Sequence, residues 1–275
     1  MEDEDEYEKV EDDEKEEYEV LTNEISNIVP MKNTYKVCKS TIKIEFTGGK
    51  GSGFFITFPR NDEPFYALMT NEHVITPEMI KDIKEITIKY DNESKNFKII
   101  LNQEERIIQY FNKVLNIDLT IIEIIEKDNI NDEYFSIPNF NYKAGYDQFL
   151  SEIIQIAQFP DGKELSLSEG KIIKLNNNNK YKFCHKADTK HGSSGSPIFL
   201  QGDYRILGIH IAGNEDKRIN CGYFIGPAID FMKNFKRNGE GIEYYRNGKL
   251  KYKGNFLNDK YEGEGTYYFE NGDHY

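Results

Sequence analysis

No stretch of apolar residues in the 275-residue chain approaches the ~20 that a membrane-spanning helix needs. The opening residues, MEDEDEYEKVEDDEKEEYE, form neither a cationic leader nor an apolar secretory core, which argues against both a membrane protein and a conventionally secreted one. Cysteine is scarce: Cys38, Cys184 and Cys221 are the three in the chain, and their spacing fits neither a zinc site nor a disulfide framework. Free thiols in a reducing, cytoplasmic setting are the simplest expectation, with no metal and no cofactor. No basic patch stands out and no zinc-finger spacing occurs, so nucleic acid is not expected as a partner. Acidic residues exceed basic ones, 48 to 35, for a formal net charge of -13, but the excess is local. Residues 1–19 hold thirteen Asp or Glu against two Lys, which leaves the rest of the chain close to neutral. Like charges at that density repel and bury little, so residues 1–33 are expected to be an acidic disordered tail and bridge, whether solubilising or regulatory.

Beyond the tail the chain is rich in short alternating segments. TIKIEF (41–46), GSGFFITF (51–58), FYALMT (65–70), KEITIKY (84–90) and DLTIIEI (118–124) have strand length and β-branched or aromatic content. Gly, Asn, Asp or Pro punctuation separates them, with a short helical turn over 77–82. A second group comprises EIIQIAQF (152–159), GKIIKL (170–175), KYKFCHK (180–186), SPIFL (196–200), RILGIHIAG (205–213) and NCGYFIG (220–226). PAIDFMKNF (227–235) has Pro at its start and Ile229, Met232 and Phe235 on one face, as an amphipathic helix would. Two groups of about six strands without alternating helices point to an all-β chain of two barrels or sandwiches. The expected division is an N-terminal β-barrel over 34–130, a linker over 131–145, and a C-terminal barrel with its helix over 146–237.

The segment 238–275 changes character. GEGIEYYRNG (239–248) and GEGTYYFENG (263–272) match at a period of 24, with YKGNFLNDKYEG (252–263) between them. A repeat of this length indicates small stacked units, and the closing Asn-Gly pairs indicate hairpin turns. The aromatics serve either as a stacking core or as a binding face.

Chemistry concentrates in GSSGSP (192–197). A serine flanked by glycines and closed by Pro197 makes a tight turn that can present Ser194 to solvent. The same turn can aim the N–H groups of Gly192 and Ser194 into one space, where they would stabilise an oxyanion. Taken alone the string is a Gly/Ser loop. A serine nucleophile needs a base and an orienting acid, and the chain has five histidines. His73 ends an apolar strand in ALMTNEHVI, and Asp118 opens one in NIDLTII. His185, His191 and His274 sit in a polar strand, in the serine loop and in the repeats, and have weaker claims.

Taken together, GKGSGFFI (49–56), TNEHVI (70–75), NIDLTII and GSSGSP resemble the chymotrypsin-like serine peptidases. The resemblance is closer to the glutamyl endopeptidase and HtrA-like branch, without the disulfides of the secreted enzymes. It spans roughly 35–235 and implies two six-stranded antiparallel β-barrels with His73, Asp118 and Ser194 in their cleft and an oxyanion hole at Gly192 and Ser194. The implied activity is a serine endopeptidase working through an acyl-enzyme on a peptide or protein substrate. An interaction scaffold built on an inactive peptidase fold is the alternative. The resemblance further implies that Thr189 and His210 contact the substrate side chain at the cleaved position, favouring Glu or Gln. Ile211, Ala212 and Gly213 would pair with the substrate backbone, and Asp188 would oppose a Glu substrate if it turned inward. It also implies either a serine loop that is ordered constitutively or an N-terminal cut between residues 20 and 35. The repeats resemble MORN repeats, through YKG (252–254) and GEG (239–241 and 263–265), with Asp259 in place of the usual glycine. They imply β-hairpins that pack on the C-terminal lobe or a partner, and self-association or protein or lipid contact.

Overall fold

The computed structural model describes residues 31–90, 94–214, 219–245, 249–271 and 273–275. Residues 1–30 of the expected tail, the Asn247–Gly248 turn and Gly272 lie outside these. The described chain opens with a helix, α1 (Met31–Ser40), in the segment assigned from sequence to the bridge and the first barrel. Val37 is fully buried, and the hydroxyls of Ser40 and Thr41 both donate to its carbonyl, closing the helix where the first strand begins.

The N-terminal lobe is one antiparallel sheet of seven strands. These are β1 (Thr41–Phe46), β2 (Gly49–Arg60), β3 (Glu63–Thr70), β4 (Glu85–Tyr90), β5 (Lys95–Ile100), β6 (Ile108–Tyr110) and β7 (Thr120–Glu123). They are ordered β5-β4-β1-β2-β3-β7-β6. Asn61 and Asp62, both at positive φ, make the tight turn between β2 and β3. Two short helices, α2 (Met79–Asp82) and α3 (Asn112–Leu115), sit in its connections.

This sheet does not close, which corrects the expectation of two six-stranded barrels. Its outer strands, β5 and β6, do not pair with each other. The physical reason lies in the side chains beside them. Arg106 is fully buried and donates to Asp128 through two nitrogens, at 2.8 and 3.0 Å, and to the Glu123 carbonyl at 2.8 Å. Arg106 and Asp128 line one opening with Phe97 and Ile100 of β5, so side chains stand beside that edge and no ladder joins it to β6.

The C-terminal lobe does close. Strands β8 (Ile153–Gln158), β9 (Ser166–Leu175), β10 (Lys182–His185), β11 (Pro197–Leu200), β12 (Ile206–Asn214) and β13 (Ile219–Phe224) form a barrel in the order β10-β13-β12-β11-β8-β9. Its interior holds Phe149, Ile154, Ile156, Ile172, Phe183, Ile198 and Phe224. The connection between the lobes is a run of 3-10 turns that buries Tyr134, Tyr142 and Phe149. Helix α4 (Gly226–Asn234) carries Pro227 in its first turn and buries Ile229 and Met232, as the sequence pattern indicates. A third apolar cluster joins the lobes, with Phe54, Met69 and Ile121 from one side and Phe199, Ile209 and Ile229 from the other. That shared core fixes the walls of the cleft between them.

The last three strands, β14 (Gly239–Tyr244), β15 (Leu250–Leu257) and β16 (Lys260–Tyr267), form a separate antiparallel sheet. Asn258 and Asp259 turn between β15 and β16 with both φ angles positive, the geometry that a two-residue hairpin requires. The glycines of the repeat have a packing reason. The Tyr252 ring lies over Gly254 and Gly265, where any Cβ would meet its hydroxyl or ring, and it stacks on Tyr261 at 3.9 Å. Among the described residues the sheet packs against the N-terminal lobe and against Lys236 and Arg237, just past α4. Arg60 Nη2 donates to Asp259 at 2.9 Å, Arg237 Nη2 donates to the Glu104 carbonyl at 2.8 Å, and Ile242 N–H reaches that same carbonyl at 2.7 Å.

Candidate active site

Strand β3 ends at Thr70, and the chain then turns about Asn71, whose carbonyl accepts from Val74 N–H at 3.1 Å and Ile75 N–H at 3.2 Å. Val74 and Ile75 are buried anchors, so His73 between the strand end and these anchors is directed outward. Asp118 lies between the fully buried Ile117 and Leu119, and its carbonyl is held by Asn71 Nδ2 at 2.8 Å. The two side chains meet. Asp118 Oδ2 is 2.6 Å from His73 Nδ1, and Asp118 Oδ1 accepts the His73 backbone N–H at 3.0 Å. Two contacts from one carboxylate fix both the ring and its backbone.

The serine loop is shaped from the opposite lobe. Ser52, in the GSG of strand β2, donates its N–H to the Ser194 carbonyl at 2.9 Å and its hydroxyl to the Gly192 carbonyl at 2.8 Å. Gly195 has φ +91°, and a Cβ there would overlap the Ser52 carbonyl oxygen, so only glycine allows this approach. Asp161 N–H donates to the His191 carbonyl at 2.6 Å, and Ser196 N–H donates to the Ser193 carbonyl at 3.1 Å. In a trans peptide the N–H lies opposite the C=O, so these bonds turn the Gly192 and Ser194 N–H groups the other way. Neither N–H donates to another group among the described residues. Ser193 is buried, and its hydroxyl accepts from Lys190 N–H at 3.3 Å.

His73, Ser194 and Gly192 line one cleft of about 530 Å³ together with Thr189, His210, Gly213 and Asn220. The Ser194 hydroxyl donates to the Ile211 carbonyl at 2.6 Å. The Ser194–His73 hydrogen bond expected from the motif order is not formed among the described residues. His73 and Asp118, the expected base and acid, are therefore in contact, and the Ser194 hydroxyl shares a cleft with His73 but is turned toward strand β12.

Asp188 is exposed and does not line the cleft; its carbonyl accepts from Gln158 Nε2 at 2.9 Å. Lys50, Lys190 and His191 stand at the rim. Ile211 and Gly213 lie on β12, beside a register shift between His210 and Gly213, whereas the side chain of Ala212 lies outside the described residues. Ser52 and Asn220 join the site without any sequence signal, and His185, weighed from sequence only as a base, joins it behind His210. Ser52 clamps the loop. Asn220 donates to the Ala187 carbonyl at 2.7 Å and places its Oδ1 against Gly213, leaving no room for a side chain at 213. His185 is fully buried behind His210, with Nε2 3.4 Å from His210 Nδ1. Burial drives both rings toward the neutral form. His185 is lowered to about 4, and His210, with His185 beside it, to about 3. The cleft is therefore lined by a neutral imidazole at His210, with Lys50 and Lys190 at its rim.

Residues 51–209 match the trypsin-like peptidase domain, and residues 236–249 and 252–274 match the MORN repeat. The serine endoprotease from Yersinia pestis is 15% identical, over 75% of this chain and 67% of that one, with a TM-score of 0.55. Deg5 is 17% identical over 74% and 93% of the two chains, with a TM-score of 0.53. The HtrA-type protease AlgW in complex with a tripeptide is 13% identical over 77% and 67%, with a TM-score of 0.55. No curated protein matches the chain significantly. At such identities the solved structures show a shared fold alone. The domain match covers more than half of the chain and contains His73, Asp118 and Ser194, so the chain belongs to the trypsin-like peptidase family, with MORN repeats after its peptidase domain.

Proposed function

We propose that the chain is a serine endopeptidase that cleaves peptide bonds after Glu or Gln. The observation that carries this reading is the His73–Asp118 contact at 2.6 Å, made beside a cleft that Ser194 also lines. With Nδ1 held by the carboxylate, Nε2 is the ring atom left to take a proton. Rotation of the Ser194 side chain away from the Ile211 carbonyl would deliver its hydroxyl to that atom. Ser194 Oγ then attacks the scissile carbonyl, and the developing oxyanion meets the N–H groups of Gly192 and Ser194. His73 returns the proton to the leaving amine, and water releases the acyl group by the reverse sequence. Asp118 keeps the imidazole in the right tautomer and stabilises its charged form.

The chemistry of the pocket supports the substrate class. Thr189 and neutral His210 offer hydrogen bonds to a side-chain carbonyl oxygen, and Asp188 stays outside. A site built on such bonds discriminates strongly against side chains that lack the group. The proposed partner is a peptide or protein, and the three free thiols suit a cytoplasmic setting. The turn of the Ser194 hydroxyl to the Ile211 carbonyl is the one observation that favours the alternative, a binding scaffold on an inactive peptidase fold. Labelling with a fluorophosphonate separates the two. Stoichiometric modification that vanishes in Ser194→Ala supports the enzyme, and no labelling of the native chain refutes it. Peptide-library profiling then tests the pocket, and a preference for Lys, Arg or Phe at the cleaved position would overturn the assignment to Glu or Gln.

A further inference from the structure

The closed barrel carries a second reactive pair that the hydrolytic site does not use. Cys184 on β10 and Cys221 on β13 are direct partners in the antiparallel register, with Sγ atoms 3.5 Å apart. Directly opposed residues of such strands hold their Cα atoms about 4.5–5.5 Å apart, within the roughly 4.4–6.8 Å that a disulfide spans. Bonding requires the sulfurs to approach to about 2.05 Å, which side-chain rotation supplies without moving the strands. Phe183 and His185, on either side of Cys184, are buried. Alternation along the strand therefore turns Cys184 to the opposite, outer face. All three thiols of the chain are free, and this pair is only half-buried, open to a small reagent. Cys38 belongs to α1, far along the chain in another element.

We propose that Cys184 and Cys221 form a modification site, a cross-strand dithiol that closes to a disulfide in the folded protein by exchange with a small-molecule disulfide and reopens under a thiol reductant. Burial and the neighbouring Cys184 push the Cys221 thiol up to about 11, against the pull of Lys182. Either thiol of the pair can open the exchange, and the steps balance equally with Cys184 first. The Cys184 thiolate attacks one sulfur of oxidised glutathione, whose S–S bond breaks and releases one glutathione thiolate. Cys221 then loses its proton, attacks Cys184 Sγ in the mixed disulfide and expels the second glutathione. Two protein thiols are oxidised by two electrons, and one oxidised glutathione becomes two reduced molecules. The new bond would join the strands one residue from His185 and from Asn220, at the back of the pocket.

The test treats the full native chain with excess oxidised glutathione, then alkylates, digests and maps it by mass spectrometry. The expected product has lost two hydrogens, links the peptides of Cys184 and Cys221, and leaves Cys38 alkylated. Dithiothreitol restores three alkylated cysteines, and Cys221→Ser stops at a glutathione adduct on Cys184. An unmodified chain, a persistent adduct on Cys184 of the native protein, a link through Cys38, or closure seen only in denaturant would each overturn the proposal.

Discussion

Acid should unfold this protein through the histidines behind its pocket before it does so through its carboxylates. In the folded chain His185 stays neutral until about pH 4 and His210 until about pH 3. In the unfolded chain both take up protons near the ordinary histidine value of about 6.5. Between those limits the unfolded state binds more protons, so stability is full above the unfolded value and is lost as the pH falls. Each group contributes at most about 1.4 kcal/mol per pH unit, and between pH 6.5 and 4.5 each removes about 2 kcal/mol, roughly 4 kcal/mol for the pair. Carboxylates held low in the fold, such as Asp259 beside Arg237 and Arg60, release their contribution mainly at lower pH. Urea unfolding at pH 4.5, 5.5, 6.5 and 7.5 reads the effect as a fall in the midpoint. His185→Leu/His210→Leu replaces the buried polar pair with apolar groups and should remove most of the fall. A parallel decline in the native chain and the double variant would refute the reasoning.

Asp118→Asn places an amide nitrogen against either the His73 backbone N–H or Nδ1, where both Asp118 oxygens now accept; kcat should fall by about 10⁴-fold with little change in stability. Arg106→Met leaves the Asp128 carboxylate buried without its cation and should cost about 3–5 kcal/mol in urea unfolding, with Arg106→Met/Asp128→Leu recovering much of it. Asp259→Ala removes the acceptor of Arg60 and of the Arg237 N–H and should cost about 2 kcal/mol. Hydrogen exchange should then speed up in β14–β16 while the C-terminal barrel keeps its protection, and equal loosening of both would contradict the docking described.

Alternation alone placed most strands of both lobes, because a half-buried strand must present apolar residues at every second position. TIKIEF and SPIFL became β1 and β11 almost residue for residue. It missed β5, whose KNFKII is largely exposed at a sheet edge and so carries little apolar signal. The motifs around His73, Asp118 and Ser194 were legible because each ties its candidate residue to local turn or strand chemistry. Ser52, His185 and Asn220 were not legible, since each acts on a partner 25 to 142 residues away or through one: Ser52 on Ser194, His185 on His210, and Asn220 on Ala187. Closure of the N-terminal sheet was beyond local pattern for the same reason. Arg106 meets Asp128 across 22 residues beside the open edge, and Arg60 meets Asp259 across 199 where the MORN sheet docks. Periodicity records which side of an element faces the core. Only the folded chain decides which distant charges meet, because that choice rests on position in space and leaves no period in the sequence.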